Sequence, residues 1–413
     1  MKAATDKTAA GHAGERQDHY DAVVVGGGIQ GAGCAQALAA AGHRVLLVEQ
    51  SHFGSGTSCR SSKLIHGGLR YLESGQWRLV RKSLRERELL QRLAKGLIES
   101  RAFYLPVYRG QRLARWKIIA ALLLYRLLAG GGPQTAFRRL KKSQWPTLDG
   151  LRQTGLIDVF QYCDGQTDDR QLTRAVICSA VALGCDAREQ TRLVAADYSD
   201  QTCDGSLQLT LQCHDERQTV HCHLLVNAAG PWVDRVQRSI AIAPPSPAFT
   251  LVQGSHLEYD QALGEGIFYI ESPDDQRAVF IMPWKNKTLV GTTEQPFSGD
   301  PADSRPSEEE IAYLKRSFEH HFPDYRGRYL GAWSGLRVLC DDQRATRSLR
   351  PFSSRERDTR ILTDNRHRPR IISLYGGKLT TYRATAESVA RLAAKTLPPA
   401  QRQQATSDIV LMP

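Results

Sequence analysis

Residues 20–49 constrain this chain more than any other stretch. Tyr20-Asp-Ala-Val-Val-Val25 leads into Gly26-Gly-Gly28-Ile29-Gln30-Gly31, and an alanine-rich run then leads to Arg44-Val-Leu-Leu-Val-Glu49. Residues 23–25 are a β-branched run of the kind that fills a parallel strand buried on both faces. Gly26, Gly28 and Gly31 stand at the G-x-G-x-x-G spacing. The first serves a tight turn, the second lets backbone approach a pyrophosphate, and the third lets helix pack on strand. Residues 32–41 favour helix, Gly42 sits where a C-terminal cap belongs, and 45–48 read as a second buried strand. Glu49 ends that strand 18 residues beyond Gly31, close to the ~20 at which an acid meets a ribose hydroxyl. A glycine-rich turn alone would mean little. Strand, glycines, helix, strand and acid in this order predict a dinucleotide-binding unit, and the carboxylate favours FAD or NAD over NADP because it repels a 2′-phosphate.

With 413 residues, 41% of them hydrophobic, the chain is long enough for two cored domains. Residues 1–18 are small and polar, without the apolar region of a signal peptide, and are expected to be a disordered tail. Nine cysteines show neither a CxxC pair nor zinc spacing; they read as reduced thiols in a cytoplasm, and no metal site is expected. The formal net charge of +12 is concentrated, since residues 101–145 hold ten Lys/Arg and no Asp or Glu. No recognition motif or basic–aromatic repeat accompanies these bases, so nucleic acid is the weakest partner reading. Within the basic stretch, residues 116–129 form an apolar run, shorter than the ~20 residues a membrane span needs. Two readings stay open for it: an interfacial helix on an anionic membrane surface, or a buried core helix with solvated basic ends.

Residues 51–63 form a small polar loop able to bring hydroxyls and amides to a phosphate. Leu64-Ile-His66-Gly67-Gly68-Leu-Arg70-Tyr71 then precedes a long amphipathic helix to about Lys95. A strand near 156–162, an acidic turn at Cys163-Asp164-Gly165 and a helix over 170–184 capped by Asp168-Asp169 follow. Strands are expected at 192–198, 206–213 and 218–223, and residues 224–232 read as a strand entering a glycine turn at Gly230. Residues 247–333 carry antiparallel strand patterns interrupted by a helix over 307–321. Residues 371–383 form a strand, a glycine turn and a helix start, whose amides suit the electron-rich edge of a flavin.

Eight motifs recur in order from about residue 20 to about 390: Gly26-Gly-Gly-Ile-Gln-Gly-Ala-Gly33, Ser61-Ser-Lys-Leu-Ile-His-Gly-Gly-Leu-Arg-Tyr-Leu-Glu73, Gly230-Pro-Trp, Gln253-Gly-Ser-His256, Met282-Pro-Trp, Gly291-Thr-Thr, Trp333-Ser-Gly-Leu-Arg337-Val-Leu-Cys-Asp-Asp342 and Gly376-Gly-Lys-Leu-Thr-Thr-Tyr-Arg383. Together they resemble the FAD-dependent glycerol-3-phosphate dehydrogenases of the aerobic, quinone-linked type. The resemblance implies an α/β fold: a Rossmann-like FAD-binding domain, glutathione-reductase- or glycine-oxidase-like, with an inserted, mainly antiparallel β substrate domain. The expected FAD-binding segments are 19–95, 152–246 and 334–400, the substrate- and membrane-facing segments 96–151 and 247–333, with 401–413 as a C-terminal tail.

The implied reaction is oxidation of sn-glycerol 3-phosphate to dihydroxyacetone phosphate by hydride transfer to FAD. Electrons then pass to membrane quinone, with the protein bound peripherally through 101–145 to the inner face of the cell membrane. The resemblance places FAD along Gly26, Gly28, Ile29, Gln30, Gly31, Glu49, Thr57, Ser58, Ser62, Gly67, Gly230, Gly377, Lys378, Leu379 and Thr380. Its phosphate-binding cluster maps onto Arg70, Tyr71, Arg337 and Lys378, with Arg355 a further match at altered spacing. Several fixed cations suit a dianion, and arginine's planar fork suits phosphate better than a point charge. His256 is the first candidate for the base that takes the C2 hydroxyl proton; Lys378 or a water bound by an arginine such as Arg337 is the rival.

Three departures from the family pattern stand out. Val338 replaces a proline and is expected to loosen a turn. Glu294 replaces an aspartate at an expected solvated position. The chain stops at Pro413, short of the family's usual helical C-terminal domain, which leaves homo-oligomerisation open. Two further readings remain: a flavin oxidase or dehydrogenase for another phosphorylated or hydroxylated substrate, and a non-catalytic flavin redox sensor.

Overall fold

The computed structural model describes residues 19–112, 114–198, 205–264, 266–340 and 358–413; the expected tail at 1–18 and Arg355 lie outside the described residues. The chain opens with β1 (His19–Val25), α1 (Ile29–Ala40) and β2 (Val45–Val48). β3 (Leu64–Ile65), α2 (Trp77–Leu93), β4 (Ile98–Tyr108), α3 (Arg115–Leu128), β5 (Arg138–Arg139) and β6 (Leu156–Thr167) follow. Then come α4 (Asp169–Ala182), β7 (Asp186–Arg188), β8 (Thr191–Tyr198), β9 (Leu207–Cys213), β10 (Glu216–Asn227) and α5 (Val233–Arg238). The remainder is β11 (Phe249–Tyr259), β12 (Ile267–Glu271), β13 (Ala278–Trp284), β14 (Lys287–Gly291), β15 (Gln295–Phe297), α6 (Glu308–His321), β16 (Tyr329–Cys340), β17 (Arg360–Thr363), β18 (Ile371–Tyr375) and α7 (Tyr382–Ala393).

Two sheets organise these elements. The first runs β17-β18-β10-β1-β2-β7, with β9 and β8 added beside β10. Its five strands from β18 to β7 are parallel, which explains the unbroken apolar runs 23–25 and 45–48: both faces are covered. On one face α1, mostly Ala and Gly, lies between α4 and α7. The second sheet runs β15-β11-β14-β13-β12-β4-β6-β3, with β16 against β11 and β5 against β6. One face packs under α2 and α3 through Leu84, Ile118, Leu122 and Tyr125. The other packs under α6 through Leu314 and Phe318, and Ser307 starts that helix with a capping box to Glu310.

Sheet membership departs from the expected segment boundaries at three places. β3 and β6, expected within 19–95 and 152–246, pair inside the second sheet, and β16, which straddles the expected boundary at 333/334, does so along its whole length. The expected acidic turn at Cys163-Asp164-Gly165 is instead the continuation of β6 to Thr167. Asp164 can lie in a buried strand because Arg87 pairs with it. Asp168 does cap α4, accepting from the N–H groups of Arg170 and Gln171, whereas Asp169 is buried against Lys63 at 2.7 Å. Val338 lies within β16, opposite Leu251, so there is no turn at that point for it to loosen.

The basic apolar stretch becomes α3, which answers both readings in part: Ile118, Leu122 and Tyr125 are buried while Trp116, Leu123 and Leu127 are exposed. No helix among the described residues is long and apolar enough to cross a membrane. Part of the expected tail at 401–413 belongs to the core. Leu411 N–H donates to the Leu93 carbonyl at 2.8 Å, and Ile409 and Leu411 pack in the cluster around α1. Leu411 is 2% exposed and Met412 72%. Leu411→Ala therefore costs about 2–4 kcal/mol of unfolding free energy, and Met412→Ala less than about 0.5, read by denaturant titration; equal effects would mean the segment is not a core element.

Candidate active site

The glycine loop after β1 is built for close approach. Gly26 N–H donates to the Val48 carbonyl at 2.8 Å, and a Cβ on Gly31 would lie 1.8 Å from the Gly26 carbonyl oxygen, so no side chain fits at Gly31. Gly28 is the N-cap of α1, with no side-chain cap and no acid in the first turn. That leaves a helix N-terminus suited to a diphosphate. Ser58 Oγ, from the polar loop, accepts from the Ile29 N–H at 2.9 Å. Glu49 accepts from Gly27 N–H at 2.7 Å and Ser51 N–H at 2.8 Å, which fixes its carboxylate beside the loop. Gln30 donates to the Lys378 carbonyl at 3.1 Å, while its buried Oε1 has no hydrogen-bond partner among the described residues. A helix that starts at glycine, a glycine cradle, a terminal acid and this orphaned acceptor fit a dinucleotide such as FAD.

The last glycine turn meets the first from the other side. Gly377 abuts Gln30, and Thr380 Oγ1 accepts from His66 N–H at 3.2 Å. Leu379 packs against the core around α1. Not every expected cofactor residue has its polar group directed to the same place. Thr57 donates to the Leu336 carbonyl at 2.8 Å, tying the polar loop to β16. Gly230 has open space where a Cβ would stand, and Ser62 Oγ lies 3.1 Å from His256 Nε2.

His256 sits mid-strand in β11, opposite Gly291 of β14 and Trp333 of β16. Its ring stacks on Trp333 at 4.4 Å between centroids, and Lys63 lies over the same Trp333 ring at 5.2 Å. Burial, with Arg337 and Lys63 nearby, holds the imidazole well below its ordinary value. His256 is therefore neutral at physiological pH, and its Nδ1 is buried without a hydrogen-bond partner among the described residues.

The cations converge on one carboxylate that the sequence reading misjudged. Glu294 is 5% exposed, not solvated. Arg70 reaches its Oε1 at 3.0 Å, Arg337 the same oxygen at 3.4 Å, and Arg277 its Oε2 at 3.0 Å. Lys378 Nζ stands 3.7 Å over the Tyr71 ring, a close cation–π contact. So Arg70 meets Arg337 at Glu294, and its neighbour Tyr71 meets Lys378, across segments far apart in the chain.

Known proteins resemble this chain over most of its length. The FAD dependent oxidoreductase family model matches residues 21–392. A glycerol-3-phosphate dehydrogenase of Pseudomonas aeruginosa is 38% identical over 381 residues, covering 89% of this chain and 70% of that protein. The chain belongs to the FAD-dependent glycerol-3-phosphate dehydrogenases. A D-erythritol 1-phosphate dehydrogenase of Brucella abortus is 33% identical, with 89% and 72% covered. The solved glycerol-3-phosphate dehydrogenase of Bacillus halodurans, complexed with FAD, superposes with a TM-score of 0.73 at 27% identity, covering 96% of this chain and 68% of that one. Sequence reading of this family member missed Arg277 and the role of Glu294. The only signal was an acid directly after Gly291-Thr-Thr, which looks like any loop residue until the fold buries it.

Glu294→Gln removes the charge that lets three arginines sit together, at about 2 kcal/mol after allowance for their partial exposure. Inorganic phosphate should then raise the melting temperature of the variant more than that of the wild type, because a dianion replaces the lost carboxylate. Equal shifts would show that phosphate does not enter this cluster.

Proposed function

We propose that the protein oxidises sn-glycerol 3-phosphate to dihydroxyacetone phosphate. The observation that carries this reading is the cation cluster beside a dinucleotide-type glycine loop: Arg70, Arg277 and Arg337 around Glu294, with Lys378 adjacent. Three positive charges and one negative leave a surplus that a phosphate dianion balances, and arginine forks fix its orientation. The phosphate is also what the named substrates of the Pseudomonas and Brucella relatives share.

FAD supplies the hydride acceptor. His256 receives the C2 hydroxyl proton in this reading, supported by its neutral ring and its unpartnered Nδ1. Because burial and two cations oppose the imidazolium, the proton moves on instead of resting there. Lys378, held over Tyr71, orients the phosphate end in this account.

Membrane quinone as acceptor, and peripheral contact with the membrane, belong to the same proposal. Their support is α3, whose Trp116 (67% exposed) and Leu127 (73%) share an outward face with Leu123. Arg115, Lys117 and Arg126 lie among them on the same helix. An apolar stripe bordered by bases matches an anionic lipid surface.

His256→Gln should slow anaerobic flavin reduction by about 10²-fold or more without loss of FAD. The ratio of wild-type to variant rates should stay flat between about pH 6 and 8, since a histidine of depressed pKa does not titrate there. A ratio that falls as pH drops through ~6.5 would mean an ordinary imidazole. Trp116→Glu combined with Leu127→Glu should abolish binding to phosphatidylglycerol vesicles at unchanged melting temperature; undiminished binding would remove α3 from the membrane contact.

A further inference from the structure

We propose that Tyr125 is a positioning residue for the phosphate cluster: its hydroxyl, backed by Asp164 and Arg87, sets where the Gly67-Gly68 turn holds Arg70 and Tyr71. The inference rests on reading that cluster as the substrate's phosphate site. Tyr125 belongs to the buried stripe of α3 and is 3% exposed. Its oxygen accepts from Gly67 N–H at 2.8 Å and donates to Asp164 Oδ2 at 2.7 Å. Arg87, from α2, pairs with Asp164 and also donates to the Cys163 carbonyl at 3.3 Å. Four segments meet here: the turn, α2, α3 and β6.

Burial of an arginine–aspartate pair is costly, and an apolar filling of equal volume would hold the helices as well or better. What an apolar filling could not do is satisfy Gly67 N–H. The space around Gly67 is already full: a Cβ there would stand 2.5 Å from the Tyr125 oxygen and 2.6 Å from Leu84 Cδ2. The phenol is fixed in its direction of donation, because burial and Asp164 together hold it well above the usual phenol range, so it keeps its proton. His66 N–H is held in turn by Thr380. Two successive backbone N–H groups are thereby anchored, one to the cofactor side and one to Tyr125.

The next residues carry the chemistry. Gly68, at φ +78°, turns the chain into the short 3₁₀ helix Leu69–Leu72. From that helix Arg70 reaches Glu294 at 3.0 Å, and Tyr71 lies under Lys378. A shift of the turn moves a guanidinium and the aromatic platform of an ammonium at once.

Tyr125→Phe deletes one oxygen and leaves the ring packing intact. The KM for sn-glycerol 3-phosphate should rise about five- to tenfold, the size of one lost hydrogen bond, with FAD per chain unchanged. In an Arg70→Ala background the same substitution should add clearly less than in the wild type, since part of its effect passes through that arginine. A purely structural role would lower the melting temperature, leave KM within about twofold of the wild type, or multiply equally in both backgrounds; either kinetic result overturns the proposal. Should Tyr125→Phe fail to fold, Asp164→Asn, which keeps shape and an acceptor for the phenol, is expected to raise KM in the same direction. Calorimetric titration of the FAD-loaded protein with inorganic phosphate separates the two claims. If wild-type flavin is not reduced by glycerol 3-phosphate but Tyr125→Phe weakens phosphate binding, the substrate reading falls and the positioning role stands. If phosphate binds both proteins equally, the positioning role falls.

Discussion

Mutual repulsion among arginines is the constraint on which the candidate site depends. Arg70, Arg277 and Arg337 come from a 3₁₀ turn, a loop before β13 and the middle of β16, and nothing local in their own segments would bring them together. The buried carboxylate of Glu294 does. Like charges at such spacing oppose one another strongly away from water, so the cluster exists because one acid is buried among the bases. That acid also leaves the cluster short of neutrality, which is the condition for binding a dianion instead of merely storing an ion pair.

The two sheets supply the frame. The parallel sheet ends in the glycine loop and the start of α1, and the mixed sheet lays His256, Trp333 and Arg337 on the adjoining strands β11 and β16. Among the side chains that link the two are Thr57 to the Leu336 carbonyl, Thr380 to the His66 N–H and Ser62 to His256. Each is a single hydrogen bond, yet together they set the position of one sheet's edge against the other. Buried ion pairs do the same work deeper down. Asp169 with Lys63 fixes the polar loop, and Asp164 with Arg87 and Tyr125 fixes the turn before Arg70.

Much of this was legible in the residues because local rules and tertiary demands coincide. The βαβ unit reads directly from β-branched runs, glycines at fixed spacing and a terminal acid. Ser307 and Glu310 announce the start of α6, and Asp168 that of α4. The misreadings share one cause, contact with partners distant in sequence. Asp164 reads as a turn and Glu294 as a surface acid, and the last thirteen residues read as a tail although Ile409 and Leu411 pack into the core. Each is buried in part or whole against a partner distant in sequence, and local pattern carries no trace of such a partner. The apolar run in α3 was legible as ambiguous, and the ambiguity was physical. The helix buries one face while the opposite face keeps apolar residues exposed.

The central claim is that the cluster around Glu294 reads a phosphate while the adjoining glycine loop holds FAD. The most direct test is anaerobic titration of the purified flavoprotein, following visible flavin absorbance, with sn-glycerol 3-phosphate and with glycerol at equal concentration. The account predicts rapid bleaching by the phosphate ester and none by glycerol. Equal bleaching by both, or a flavin that stays oxidised with the ester, would contradict it.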